Sequence, residues 1–540
     1  MSTVRTLTRS VRLPLVLLAL LCALAATHRA PARIVVGAGD DLQAAIDRAR
    51  PGDEVLVEAG AVFVGNFRLR ARPGSAYITI RSSAIPPRLP AGGRVGPQHA
   101  ARMPVLRSPN TRPALSTDPG AHHWRLQWLA FDATAGGAGE IIALGDGGDA
   151  QRDRAAIPHD LVLDGLLLRG DPARGQKRGI ALNSAATVVR NCDIRDIKAA
   201  GQESQAIAGW NGPGPFLVEN NYLEAAGENI LFGGADPAVP GLVPADITVR
   251  GNYLTKPLEW RKPGSPWTVK NLLELKNARR VLVEWNVLEH NWEAGQSGYA
   301  VLFTPRNQDG RAPWSVVEDV IFRRNIVRHA AAGLNVLGRD DEHPSEPTRR
   351  IEIAGNLFYD IDAARWGGTG VFLLIGDAPT DVRVDHNTIV QSGGVVLAHG
   401  RAGGRPRPIL RFRFTDNVAL HNEYGIIGED HGVGNHTIDA YFPDAEISRN
   451  VLAGGDPRRY PPDNFFPRVG ELLSEFVDPA SGDYRLRPGS RYRTLDAAGG
   501  PLGADVEALR EGAPDRSGWR RAEPRGRAIL EFAPPGRNRP

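Results

Sequence analysis

Lysine is nearly missing from this chain. Of 65 basic residues only six are Lys (Lys177, Lys198, Lys256, Lys262, Lys270 and Lys276) and the other 59 are Arg. Cysteine is scarcer still, with two residues, which excludes a disulfide scaffold and a cysteine-based zinc framework. An excess of charge of one sign is also lacking: 65 basic against 61 acidic residues leave a net charge of +4, so no global attraction to nucleic acid is expected. No Gly-X-Y period accompanies the 61 Gly and 42 Pro, so these mark many turns rather than a collagen. No apolar run beyond the N-terminal segment is long enough to span a membrane. What is there is ordinary globular material: 540 residues, 42% hydrophobic and 23% charged, enough to bury a core.

The N-terminal segment reads as a secretory signal peptide. Arg5, Arg9 and Arg12 precede an apolar run over 13–26, and Ala23-Leu24-Ala25 supplies a small-residue cleavage site. The expectation is residues 1–26 as signal and a secreted or periplasmic protein, in which removal of the signal leaves Cys192 alone as a buried thiol.

A short pattern then recurs: an apolar alternation, Asn, and a second apolar alternation. It reads VVRNCDI at Asn191, VENNYLE at Asn221, VRGNYLT at Asn252, VEWNVLE at Asn286 and FRRNIVR at Asn325. It goes on as IAGNLFY at Asn356, VDHNTIV at Asn387, FTDNVAL at Asn417 and ISRNVLA at Asn450. Successive spacings are 30, 31, 34, 39, 31, 31, 30 and 33 residues. A third apolar segment follows each pair after a polar loop. The period inside each unit is 2 rather than 3.6, which excludes a helical solenoid. Three short strands per unit cannot bury a face alone, so the units must stack as coils of an all-β solenoid. Asn at a fixed corner tolerates left-handed backbone and can bond to the same Asn one coil away. The stretch 40–60 predicts a short amphipathic helix followed by a strand, a cap for the first coil.

The segment ARPGDEVLVEAGAVFVGNF resembles the N-terminal cap of right-handed parallel β-helix proteins of the pectate lyase-like superfamily, and the Asn-corner units resemble its coils. GENILFGGADP, the stretch 268–292 and DYRLRPGS are similar to a group of bacterial secreted members. The resemblance implies a right-handed parallel β-helix of about ten or more coils, expected over residues 34–510, and the Arg/Pro-rich composition of 511–540 predicts a poorly ordered tail. The resemblance is specific for the fold and selects no activity, because this fold hosts lyases, hydrolases, epimerases and adhesins.

Neighbouring coils place residues side by side, about 4.8 Å apart. In NLLELKN, Leu273 and Leu275 claim the core, so Glu274 and Lys276 face outward. Lysine is rare here, and unlike arginine it can shed and take a proton. Lys276 as general base, Arg306 as neutraliser of a substrate carboxylate and Glu274 beside them fit β-elimination on an acidic polysaccharide. The Glu274-x-Lys276 pair resembles the Glu/Lys arrangement of chondroitinase B and alginate lyases on this fold. Glu228, Glu274 and Asp236 are candidate Ca²⁺ ligands. Asn211, Asn277 and Asp340 at aligned strand ends, with Trp260, Trp267 and Trp292 in the adjoining loops, are candidate substrate-binding residues. Two alternatives stay open: a glycoside hydrolase pairing Glu228 with Asp236 or Glu274, and a non-catalytic glycan-binding surface protein. The expected partner is a polysaccharide, with no nucleic acid and no membrane span, and the chain is expected to be a monomer.

Overall fold

The computed structural model describes residues 30–85 and 92–518. Strands lie on both sides of each Asn corner and sort into three parallel sheets of 14, 13 and 12 strands. One coil contributes a strand to each sheet in turn, as in Ala185–Arg190, Asp193–Ile197 and Gln205–Gly209. The next coil begins again in the first sheet with Phe216–Glu219, paired in parallel to Ala185–Arg190. This is a parallel β-helix. The signal segment expected over 1–26 lies outside the described residues.

The core follows from the period-2 pattern. One inward column of the first sheet runs Val189, Val218, Val249, Val283, Phe322, Ile353, Val384 and Phe414 in register, and every member is buried. Stacked apolar columns of this kind on all three sheets merge into one continuous core. At its N-terminal end the helix Leu42–Arg48, capped by Asp41, adds Leu42, Ala45 and Ile46 to that core.

The corner asparagines form a ladder. The Oδ1 of Asn252 accepts both the backbone N–H and the Nδ2 of Asn221, each at 2.9 Å, and the pattern repeats at Asn286, Asn325, Asn356, Asn387, Asn417 and Asn450. Asn464, which is not a coil corner, closes it by accepting from Asn450. Asn191 is a correction to the sequence reading. It stands one residue before the ladder, in a left-handed conformation, and bonds Asn220. Cys192 occupies the rung instead.

The three outer faces differ. The first sheet is laced with ion pairs between coils, such as Arg250–Glu219 and Arg323–Glu284. Along the second sheet, Tyr222, Tyr253, Val287, Ile326, Leu357, Val418 and Val451 are buried under the segment after the last coil, through Leu472, Phe476, Tyr484, Tyr492, Leu502, Val506 and Leu509. The helix Val506–Gly512 crosses the boundary expected at 510. The first residues of the expected tail then dock on the coils: Asp515 accepts from Arg94 through its backbone oxygen, and Arg516 reaches Glu289. Residues 519–540 lie outside the described residues. The third sheet keeps a groove open on its outer face. Among the described residues no helix is long and apolar enough to cross a membrane.

Candidate functional site

The strand Leu273–Leu275 lies between Glu228–Phe232 and Tyr299–Phe303 in the third sheet, with Glu274 in register with Leu231 and Leu302. Leu273 and Leu275 enter the core, which turns Glu274 and Lys276 outward as the sequence predicts. Lys276 Nζ lies 2.9 Å from Glu274 Oε1. Glu274 is almost wholly buried, whereas the Lys276 side chain keeps 21% of its surface exposed. Lys276 and Arg306 line one cavity of about 240 Å³, together with Asn271, Tyr299, Thr304 and Asn335. Backbone pairing fixes the two cations to each other, because Arg306 N–H donates to Lys276 O at 2.8 Å.

Three of the lining side chains present polar atoms with no hydrogen-bond partner: Asn271 Oδ1, Thr304 Oγ1 and Asn335 Oδ1. Unmet buried polar groups are costly, so a wall carrying three of them suits a ligand rich in hydroxyls. Burial also pushes the Tyr299 phenol up, leaving it a neutral donor.

Beneath the groove runs a buried polar chain. Arg178 donates to Glu140 and Gln205, Gln205 donates to Glu228 Oε2 at 3.0 Å, and Lys270 meets Glu228 Oε1 at 3.0 Å. Lys270 also pairs with Glu203. Burial pushes the Glu228 carboxyl up, and the charge of Glu274 adds to this against the pull of Lys270. Burial acts to lower Lys270, but Glu228, Glu274 and Glu203 outweigh it and hold its pKa above the ordinary range.

Lys256 is the most confined cation of the site. Its Nζ donates to the carbonyls of Ala225, Ala226, Gly227 and Asn271 and to Asn229 Oδ1, at 2.7 to 3.3 Å. It thereby ties the turn before Glu228 to the residue that begins the groove wall in the next coil. Full burial pulls its pKa down.

Several expectations need correction. Asp236 does not join Glu228 and Glu274: its Oδ2 accepts the backbone N–H groups of Asp309 and Arg311, each at 3.0 Å. Among the described residues these three carboxylates form none of the groups whose ligand atoms approach closely enough to share an ion. Lys270 and Lys276 stand beside Glu228 and Glu274 where a Ca²⁺ was expected, so the residues present do not fit that ion. Asn211 is buried and spent on the backbone of Asp146, Gln151 and Val239. Asn277 is likewise buried and bonds Leu242 and Val316. Asp340 binds Arg306, Asn307 N–H and Glu342 N–H with both oxygens. These three hold loops rather than face the groove. Trp260 and Trp292 pack with Val269 and Trp366 in one buried cluster, against which Trp267 rests half-buried. Lys198 lies 5.0 Å from the rings of both Trp260 and Trp267, a further reason for them to stay.

Arg306 carries more partners than expected. Asp340, Asp341 and Glu342 all bond its guanidinium, at 2.6, 2.8 and 3.2 Å. Burial would lower its pKa, but Asp340 reverses that and holds it up. Asp340 is buried, whereas the Asp341 and Glu342 side chains are 70% and 59% exposed, so only the first is a fixed partner.

No family model matches this chain, and no curated protein does. Similar solved structures include the catalytic unit of a thermostable GH87 α-1,3-glucanase from Streptomyces thermodiastaticus, at 14% identity over 73% of this chain and 65% of that one, with a TM-score of 0.47. The PL6 family alginate lyase AlyGC matches at 12% identity over 88% of this chain and 58% of that one, also with a TM-score of 0.47. The Dettilon tailspike protein matches at 10% identity over 82% and 70%, with a TM-score of 0.41. The chain thus spans 65% and 58% of the first two. At these identities the likeness assigns no activity, and the fold rests on the strand order itself.

Proposed function

We propose that the chain is a secreted, carbohydrate-active β-helix protein that cleaves an acidic polysaccharide by β-elimination in the groove of the third sheet. The observation that carries this reading is the convergence of Lys276 and Arg306 on one cavity walled by unpaired polar groups. In the elimination, a base takes the proton next to a uronate carboxylate. The electron pair of that C–H bond becomes a C=C bond, the C–O bond to the neighbouring sugar breaks, and the departing oxygen receives a proton. Neutralising the carboxylate is what makes the proton removable.

In this reading Lys276 removes the proton. Glu274, buried beneath it at 2.9 Å, is a positioning residue that holds the amine at the groove floor. Arg306 receives the substrate carboxylate once the exposed Asp341 and Glu342 swing away, while Asp340 keeps the guanidinium in place. Asn271, Thr304, Asn335 and Tyr299 contact sugar hydroxyls. Lys256 and Lys270 brace the strand starts from below.

A hydrolase would instead require Glu228 and Glu274 to work on either side of a glycosidic bond. Both are buried and clasped by lysines, which disfavours that role. A panel of acidic and neutral polysaccharides separates the readings. Elimination gives a conjugated product that absorbs in the ultraviolet, hydrolysis gives reducing ends without that band, and simple binding gives neither.

A further inference from the structure

Many coils of the first sheet carry a left-handed residue at one shared register position, so that these residues form a column. Toward the C-terminal end it alternates in charge: Asp246, Arg280, Asp319, Arg350, Asp381 and Arg411 all have φ between 53° and 57°. Each Arg clamps the Asp of the coil before it with two bonds, Arg280 on Asp246, Arg350 on Asp319 and Arg411 on Asp381.

At the N-terminal end the same column holds His123 and Asp160, at φ 57° and 53°. They face each other, since His159 pairs with His122 and Leu161 with Trp124. Here the partner of the Asp is imidazole instead of guanidinium. His159 Nδ1 lies 2.7 Å from Asp160 Oδ2. His122 stacks on His159 with ring centroids 4.9 Å apart and planes 7° from parallel. His122 Nδ1 and His123 Nδ1 approach to 2.7 Å. All four side chains are half-buried, open to ions from solvent. One donor atom each from His123, His159 and Asp160 lies within 4.8 Å of the others.

We infer that His123, His159 and Asp160 form a binding site for a divalent transition-metal ion of the zinc class, with His122 as the adjoining imidazole. Imidazole nitrogen with carboxylate oxygen selects such ions over Ca²⁺ or Mg²⁺, which prefer oxygen alone. Adjacent strands hold the donors side by side, and binding requires their side chains to turn to about 2.0–2.2 Å from an ion. The composition points the same way. The chain has 13 His against 59 Arg, and three of those 13 meet here, with His123 at the column position that Arg280, Arg350 and Arg411 hold in later coils. An Arg at 123 would satisfy Asp160 as a salt bridge but offers no lone pair to a metal. The groove of the third sheet takes no part in this site, so the inference stands apart from the proposed elimination.

The test is Zn²⁺ titration by calorimetry of the untagged, chelator-treated protein, repeated with Co²⁺ to read its visible spectrum. One equivalent is expected, with a rise in thermal midpoint. His159→Phe keeps the ring stack and His123→Asn keeps a residue suited to the left-handed backbone; each is expected to abolish the Co²⁺ band. Asp160→Asn is expected to weaken binding by about 10- to 100-fold. Circular dichroism of each variant without metal checks the fold, and Asp160→Asn keeps the test open if a histidine variant does not fold. Absence of binding to the native chain, or binding that survives these substitutions unchanged, overturns the inference.

Discussion

The backbone N–H of Cys192 donates to the Oδ1 of Asn221 at 3.0 Å. Its thiol approaches the carbonyls of Arg190 and Leu163 at 3.1 and 3.9 Å. Asn286 uses its Nδ2 on the equivalent pair, Glu284 and Val249. Cys192 is therefore the first rung of the ladder with sulfur in place of an amide. Cys192→Asn is expected to fold and to change stability by no more than about 1 kcal/mol, since acceptors for the new amide already exist. Asn286→Ala strands the donors of Asn252 and the carbonyls of Val249 and Glu284, and should cost about 3 kcal/mol or more. Denaturant unfolding of both variants checks the contrast. A cost below about 1 kcal/mol for Asn286→Ala contradicts an energetic role for the ladder.

Lys256 offers a second test of buried polar design. Lys256→Met leaves the carbonyls of Ala225, Ala226, Gly227 and Asn271 without their shared donor and should destabilise by about 3 kcal/mol. Lys256→Arg should fail too, because a planar guanidinium does not fit a cage shaped around an ammonium. Thermal midpoints equal to the native value would show that the cage is dispensable.

Arg306 should bind a polyanion better when its exposed carboxylates are removed. For Asp341→Asn with Glu342→Gln, a KM lower by about two- to fivefold with unchanged kcat is expected, the size of two solvent-screened ion pairs. A KM that rises would place those carboxylates in substrate recognition instead.

His386 gives a pH dependence. It bonds Asp385 in its own coil at 2.7 Å and Asp496 in the C-terminal segment at 3.3 Å, and Asp385 above all holds its pKa up. A histidine raised on folding stabilises fully below its unfolded pKa, and that contribution is lost as pH rises through the folded value. Protection of the segment around Asp496 from hydrogen exchange should fall across that window. His386→Asn, which keeps a residue tolerant of φ 51°, should remove the pH dependence. An identical profile in the variant would assign the effect to other groups.

The coil architecture was legible because period 2 and the Asn spacing are both local signals, and Glu274 and Lys276 faced outward for the same reason. The ladder was misread by one residue at Asn191 because Asn191 and Asn220 are corner residues too, and sequence alone does not say which of two adjacent positions turns inward. The tryptophans misled because loop composition does not reveal depth: Trp260 and Trp292 look exposed in Gly-rich text yet pack under the loops. Asn271, Thr304 and Asn335 were missed, although Asn271 lies just three residues before Glu274. Their role depends on cross-coil register, which insertions of unequal length between coils conceal. Asp236 suits a Ca²⁺ ligand by residue type and Asp340 suits the site by strand-end alignment, but backbone N–H groups of neighbouring loops claim both.

The most direct measurement is turnover by Lys276→Arg on whichever acidic polysaccharide the native chain cleaves, followed by ultraviolet absorbance of the unsaturated product. Arginine keeps the charge beside Glu274 but cannot take the proton. Loss of turnover, with an unchanged thermal midpoint and retained binding of the polysaccharide, is the predicted result. Native-level turnover by Lys276→Arg, or a native chain that gives no unsaturated product from any acidic polysaccharide, would contradict elimination by Lys276.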